Sequence, residues 1–318
     1  METEELRFDG RVALVTGAGR GLGRAYALAL AERGAKVVVN DLGAGLTGSG
    51  ADPGRAQGVA DEIVAAGGEA VANGDSVTET AGAEAMVALA LERFGRLDVV
   101  INNAGNMDPA GLPELRVAEL SRHLDIHVLG TFNVTRAAWP ELTARGYGRI
   151  IVTTSIGFFG APFMISYSTA KGGAFSLGRS LALAGADQGI RVNLLAPVAE
   201  TRMVTDPELR EKCNLPPLAP GAEPDPERGV DAVTPMALLL AHESCPGNGE
   251  TLIAGLGRFA RIFAAETRGI LAPGLGPEDL LDLWPEIVDE SGYVVQTATA
   301  DSVAFREEMV ARARGGNA

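Results

Sequence analysis

Val12-Ala13-Leu14-Val15-Thr16-Gly17-Ala18-Gly19-Arg20-Gly21-Leu22-Gly23 decides how the chain is read. Five continuously apolar or β-branched residues run into a glycine loop, the pattern of a strand buried on both faces. The loop opens a helical segment from about Arg24 to Arg33, which stops at Gly34, a residue suited to the position just past a helix end. A second buried strand, Lys36–Asn40, closes on Asp41. The unit is strand, glycine turn, helix, strand, with an acid at the tip of the second strand. Glycines let the backbone approach a pyrophosphate closely, and the helix N-terminus faces the anion. Asp41, eighteen residues after Gly23, can accept both hydroxyls of an adenosine ribose and repels a 2′-phosphate. That favours NAD over NADP. Arg20, inside the loop, pulls the other way.

Further along, strands and helices keep alternating. The pattern predicts helices near Arg55–Ala66 and Ala81–Phe94, and strands at Glu69–Gly74, before Asp75-Ser76-Val77, and Leu97–Ile101, before Asn102-Asn103-Ala104-Gly105. Helices near Val117–Leu129 and Thr131–Arg145 follow. Strands come at Arg149–Thr153, beside Ser155, at Ile190–Leu195, closing on Pro197, and at Thr251–Ala254. Regular βα alternation implies one doubly wound α/β domain of Rossmann type over residues 1–257, with a seven-stranded, mainly parallel sheet. Asn214–Glu227, rich in proline and acid, reads as a flap. Residues 258–318 read as a helical extension, with helices near Pro277–Val288 and Asp301–Ala313, packing on the domain or on a partner subunit.

Tyr167 and Lys171 are four residues apart and share one face of a predicted helix over Ser166–Ala186. A cation beside a phenol favours the phenolate. Ser155, twelve residues before the tyrosine, can donate to an oxygen on which charge grows. Together they form a proton-transfer device without metal or covalent nucleophile. Gly172-Gly173 on the same helix suits close approach of another helix.

Net charge is −14 over 318 residues, which argues against nucleic acid or an anionic membrane as partner. Cys213 and Cys245 have no metal-site spacing and form no disulfide framework, so a reducing, cytoplasmic setting is expected. Met1–Gly10 does not read as a signal peptide, no apolar run reaches the ~18 residues of a membrane span, and Gly315–Ala318 carries no peroxisomal tripeptide.

Thr16-Gly17-x-x-x-Gly21-x-Gly23, Asp75, Asn102-Asn103-Ala104-Gly105, Ser155 and Tyr167-x-x-x-Lys171 resemble the short-chain dehydrogenases/reductases over about residues 6–256. Gly21–Leu30, Val38–Gly43, Val134–Trp139, Tyr147–Ile151 and His242–Cys245 look like the (3R)-hydroxyacyl-CoA dehydrogenase part of peroxisomal multifunctional enzymes and its bacterial relatives. The resemblance implies that Tyr167 is the general acid/base, that Lys171 tunes it and holds the nicotinamide ribose, and that Ser155 steadies the oxyanion. It implies a cofactor held by Gly17, Arg20, Gly21, Leu22, Gly23, Asp41, Asp75, Ser76, Val77, Asn103, Ala104, Gly105, Tyr167, Lys171, Pro197 and Thr201. His127 stands where most members carry an Asn that feeds a proton relay; a packed core histidine is the competing reading. The expected protein is an NAD-dependent oxidoreductase acting on a 3-hydroxyacyl-CoA-like secondary alcohol, as a homo-oligomer, with a dimer favoured over a tetramer. A hydroxysteroid or other lipophilic alcohol is the alternative substrate, and a non-catalytic nicotinamide sensor the alternative class. Phe158, Phe159, Phe163 and Met164 suggest an apolar substrate pocket.

Overall fold

In a computed structural model, which describes residues 5–218 and 226–315, the alternation becomes a parallel sheet. The elements of its first half are β1 (Val12–Thr16), α1 (Gly21–Glu32), β2 (Lys36–Asn40), α2 (Gly54–Ala65), β3 (Glu69–Asn73), α3 (Thr80–Phe94) and β4 (Val99–Asn102). The second half adds α4 (Val117–Leu124), α5 (Gly130–Arg145), β5 (Gly148–Thr153), α6 (Ile165–Gly185), β6 (Ile190–Pro197), α7 (Arg202–Thr205), α8 (Pro207–Lys212), α9 (Thr234–Ala241), β7 (Thr251–Gly255) and β8 (Arg258–Ile262).

Strand order is β3-β2-β1-β4-β5-β6-β7-β8, so among the described residues the sheet has eight strands, not the expected seven. The extra strand follows from a two-residue connection. Leu256 and Gly257 both take positive φ, at 55° and 67°. That is the backbone of a tight hairpin turn, which returns the chain antiparallel along β7. A leucine at positive φ is unusual, which is why the hairpin is hard to read from the sequence.

Alternation along the strands builds a core on both faces. Ala13, Val15, Val37, Val39 and Ile101 pack with Tyr26, Leu30, Ile63 and Leu238 on one side. Val12, Leu14, Val38, Ile150 and Val152 pack with Met86, Val134, Leu142 and Ala174 on the other. The helix α9, left unassigned by the sequence, is apolar almost all round and buries Ala237, Leu238, Leu240 and Ala241. It therefore has no amphipathic stripe to betray it.

The expected helix Val117–Leu129 is broken. After Leu124 the chain takes one wide π turn, Asp125–Leu129, before α5 begins. The proposed close approach at Gly172-Gly173 holds for one of the pair. A Cβ on Gly173 would lie 2.9 Å from Val128 Cγ2 in that π turn, whereas Gly172 faces open space. Residues 219–225 of the expected flap lie outside the described residues.

The chain divides into two compact units, Met1–Arg261 and Ile262–Ala318. Within the second, β9 (Ala265–Glu266) pairs antiparallel with β10 (Val294–Val295). The expected helix Pro277–Val288 is two short ones, α10 (Pro277–Asp282) and α11 (Trp284–Ile287), and the last helix, α12, spans Thr299–Gly315.

β1 and β4 are neighbours although β2 and β3 lie between them in sequence, so connections leave this point in opposite directions and open a crevice at the strands' carboxyl ends. The glycine loop closes against its floor. A Cβ on Gly23 would lie 2.3 Å from the Gly17 carbonyl oxygen and 2.6 Å from Asn103 Nδ2. Gly23→Ala is therefore expected to push the loop off Asn103 and to lower the thermal midpoint by several degrees, read by scanning calorimetry.

Candidate active site

One cleft of about 920 Å³ runs over the carboxyl ends of the strands, at the upper end of small-molecule sites. Among the predicted site residues, Gly17, Arg20, Gly21, Leu22, Asp41, Asp75, Ser76, Val77, Asn103, Ala104, Gly105, His127, Ser155, Tyr167, Lys171, Pro197 and Thr201 all line it. Gly23 does not, because its place is beneath the loop.

At one end, the backbone is bare enough for a dinucleotide. Gly17 sits at φ 63°, with Ala104 Cα only 2.8 Å from where its Cβ would be. Gly21 sits at φ 55° with nothing within 4 Å of that point. The loop is knit to the turn after β4. Asn103 Nδ2 donates to the carbonyls of Thr16 (3.0 Å) and Gly17 (3.2 Å), and Thr16 Oγ1 accepts the amides of Asn103 (3.0 Å) and Ala104 (3.1 Å). The asparagine thus shapes the loop, as a turn-pinning residue would. Asp41, 8% exposed, accepts the Gly19 amide (2.7 Å) on Oδ2 and the Gly43 amide (2.6 Å) on Oδ1. Each oxygen keeps a lone pair for a ligand hydroxyl. Arg20 lines the cleft and donates to the Ala44 carbonyl, in the stretch after β2. These features fit an adenine dinucleotide.

Deeper in lie the titratable groups. The α6 turn places Lys171 Nζ 5.6 Å from the centre of the Tyr167 ring. The ammonium donates to the Thr153 carbonyl at 2.8 Å. Lys171 is 4% exposed, and burial lowers its pKa to about 7. Burial also raises the pKa of Tyr167, opposed by the Ser155 hydroxyl. Here the structure departs from the sequence expectation of a phenol drawn down by the lysine. Lys171 is buried and Tyr167 partly buried, burial disfavours charge on both, and a half-neutral amine is a weak attractor. Ser155 is itself held, accepting the Gly157 amide at 3.0 Å.

His127 rides on the π turn, 3% exposed. Its Nε2 lies 3.0 Å from the Asn106 carbonyl and 3.4 Å from the Asn106 amide, and its Nδ1 is buried without a hydrogen-bond partner. Burial, then Lys171, holds its pKa well below the usual value, so it is neutral. Its ring meets Tyr167 edge-to-face at 5.5 Å. Sequence reasoning missed its companion, His123, one turn earlier. The two imidazoles stack at 5.9 Å, and His123 also meets Tyr167 edge-to-face, at 6.2 Å. The i, i+4 spacing was the available signal.

The far end is apolar. Met107, Leu209 and Cys213 are buried there, with Leu46, Phe163, Met164, Tyr167 and Met203 against them. Of the four side chains expected in a substrate pocket, Phe163 and Met164 line it. Phe158 instead stacks on Phe175 (4.9 Å), and Phe159 is 69% exposed.

A family profile described as short chain dehydrogenase matches residues 11–212. The chain belongs to this family. Mouse peroxisomal multifunctional enzyme type 2 is 42% identical over 291 residues, 90% of this chain but 38% of that protein. The chain thus spans well under half of that relative. A short chain dehydrogenase structure from Mycobacterium avium matches with TM-score 0.74 and 35% identity, covering 89% of this chain and 97% of that one. A carveol dehydrogenase structure from the same organism, in complex with NAD, matches with TM-score 0.71 and 27% identity, covering 78% of this chain and 97% of that one. Among the described residues, no helix is long and apolar enough to cross a membrane, and no group of His, Cys, Asp and Glu side chains is arranged to hold a metal.

A buried amine whose pKa falls to about 7 weakens the fold while it stays charged. Its lowered folded-state value means the unfolded chain holds the extra proton between about pH 7 and the usual lysine value of ~10.4, so wild-type stability rises with pH across that window. Lys171→Met is expected to be more stable than wild type at pH 6.5, to lose that advantage towards pH 10, and to be inactive; denaturant titration at both pH values with a turnover assay checks this.

Proposed function

We propose that the protein is an NAD-dependent dehydrogenase of lipophilic secondary alcohols, with a 3-hydroxyacyl thioester such as a 3-hydroxyacyl-CoA as its substrate class. The observation that carries this reading is the single cleft, in which a glycine-lined cradle with Asp41 at one end meets an apolar chamber of Met107, Phe163, Met164, Met203, Leu209 and Cys213 at the other, with Tyr167, Ser155 and Lys171 between. The multifunctional relative supports the thioester class. A steroid would suit an apolar wall too, and it stays the runner-up.

In this chemistry Tyr167 exchanges a proton with the substrate oxygen, and Ser155 donates to that oxygen as charge changes on it. Lys171, tied to the Thr153 carbonyl, brings an amine that is charged only below about pH 7 beside the phenol. With its pKa raised, the phenol is protonated at neutral pH and poised to donate, as ketone reduction requires. An oxidised nicotinamide, when bound, supplies the hydride acceptor and a positive charge that favours the phenolate for alcohol oxidation. Asp41 would hold the adenosine ribose, Gly17 and Gly21 the pyrophosphate, and Asp75, Ser76 and Val77 the adenine. Asn103, Ala104, Gly105, Pro197 and Thr201 would complete the cofactor side. Exposed Val117, Leu129 and Phe132 on the stretch from α4 to α5 support a homodimer.

An NADH-formation assay across 3-hydroxyacyl-CoAs, hydroxysteroids and simple alcohols tests the substrate class; the highest kcat/KM should fall to a hydroxyacyl-CoA, and no turnover with any of them overturns it. Tyr167→Phe should cut turnover ~10²–10⁴-fold while leaving NADH affinity within about 2-fold. Asp41→Asn removes the repulsion of a 2′-phosphate, so the NADP-to-NAD ratio of kcat/KM should rise at least ~10-fold; an unchanged ratio would move cofactor choice elsewhere.

A further inference from the structure

Asp108 lies next to Met107, a wall of the apolar chamber, and touches three groups at once. Its amide donates to His123 Nε2 at 3.2 Å. Its carboxylate, one-fifth exposed, faces Arg122 Nη1 on α4 at 3.6 Å and Lys212 Nζ on α8 at 3.8 Å. His123 accepts that amide because its Nδ1–H is committed to the Glu119 carbonyl at 3.0 Å. The tautomer is thereby set, and the imidazole stack against Tyr167 is anchored to the loop that carries Asp108. On the other side, Lys212 ends the helix whose Leu209, with the following Cys213, closes the chamber over Met107.

Elsewhere the helix is tied by Arg210, which donates to the carbonyls of Val204 (2.8 Å) and Pro216 (2.6 and 2.9 Å). It is six residues long, capped by Asp206, whose Oδ1 accepts the Leu209 amide at 3.1 Å. Lys212 also pairs with Glu208 within the helix, at 3.0 Å. A short helix is drawn from the low-stability end of a fold, where lids and binding segments lie.

We propose that Asp108 is a positioning residue that latches α8 over the substrate end of the cleft and joins that latch, through His123, to the imidazole stack around Tyr167. Closure of the chamber and alignment of the phenol then share one residue, the first through its carboxylate and the second through its backbone amide. A substrate whose tail packs on Leu209 and Cys213 favours the latched state, and the same state holds the histidines in register with the tyrosine. Calling the chamber a substrate site rests on the dehydrogenase reading above; the latch itself does not.

The test uses the full chain and Asp108→Asn, which keeps size and amide but removes the charge. Amide hydrogen exchange over residues 209–213, without ligand, is expected to quicken ~3–10-fold, with global unfolding unchanged. Lys212→Met should quicken it similarly, and the double variant should add nothing, since contacting partners are not additive. Asp108→Glu should restore the wild-type rate. With the best hydroxyacyl-CoA, Asp108→Asn should raise KM ~5–10-fold and change kcat less than ~2-fold. His123→Phe, which removes the acceptor of the Asp108 amide, should quicken the same amides and lower kcat. Unchanged exchange in Asp108→Asn, or additive effects in the double variant, overturns the latch; wild-type exchange in His123→Phe overturns its link to the histidines. Failure of the substrate reading shows separately, as absent wild-type turnover while the exchange results stand.

Discussion

The glycine loop after β1 and the turn after β4 approach each other more closely than side chains would permit. A methyl group on Gly17 or Gly23 would strike Ala104, Asn103 or the loop itself. Because the loop lies flat against that turn, the crevice between β1 and β4 stays open, and α1 starts with its amides facing it. Asn103 satisfies the loop's carbonyls and leaves the crevice-facing backbone free. Everything that follows along the cleft is measured from this seam.

The middle of the cleft stores electrostatic tension. Lys171 and His127 are buried and Tyr167 partly buried, the amine 5.6 Å and the imidazole 5.5 Å from the centre of the phenol ring, and burial opposes charge on each. Such an arrangement is costly to the fold and useful to chemistry, because a dry site magnifies any charge that arrives. The π turn is part of this tension. It widens the helix where His127 sits, and π turns concentrate at functional positions.

Much of this was legible in the sequence. Buried strands announced themselves as short apolar runs, the acid and the glycines fell at strand ends, and the Tyr-x-x-x-Lys pair fell on one helix face. Three things were not legible, each for a physical reason. The strand β8 depends on a leucine in a left-handed conformation. The helix α9 is apolar almost all round and has no periodic face. The direction of the tyrosine shift depends on burial, which spacing does not report: the sequence placed a cation beside the phenol but could not show that the cation is itself dehydrated. His123 was missed because its role comes from stacking on His127. Phe158 and Phe159 were misplaced because an aromatic run looks the same whether it lines a pocket or stacks on a neighbouring helix.

The walls of the apolar chamber come from α8, the Met107 turn and the Phe163–Met164 segment, none of which contributes a strand to the sheet. Changes of side-chain volume there leave the hydrogen-bonded ladder and its two apolar faces intact. The chamber can therefore be reshaped without disturbing the sheet, while the seam of glycines admits almost no variation. One molecule thus combines a frozen half with a malleable one.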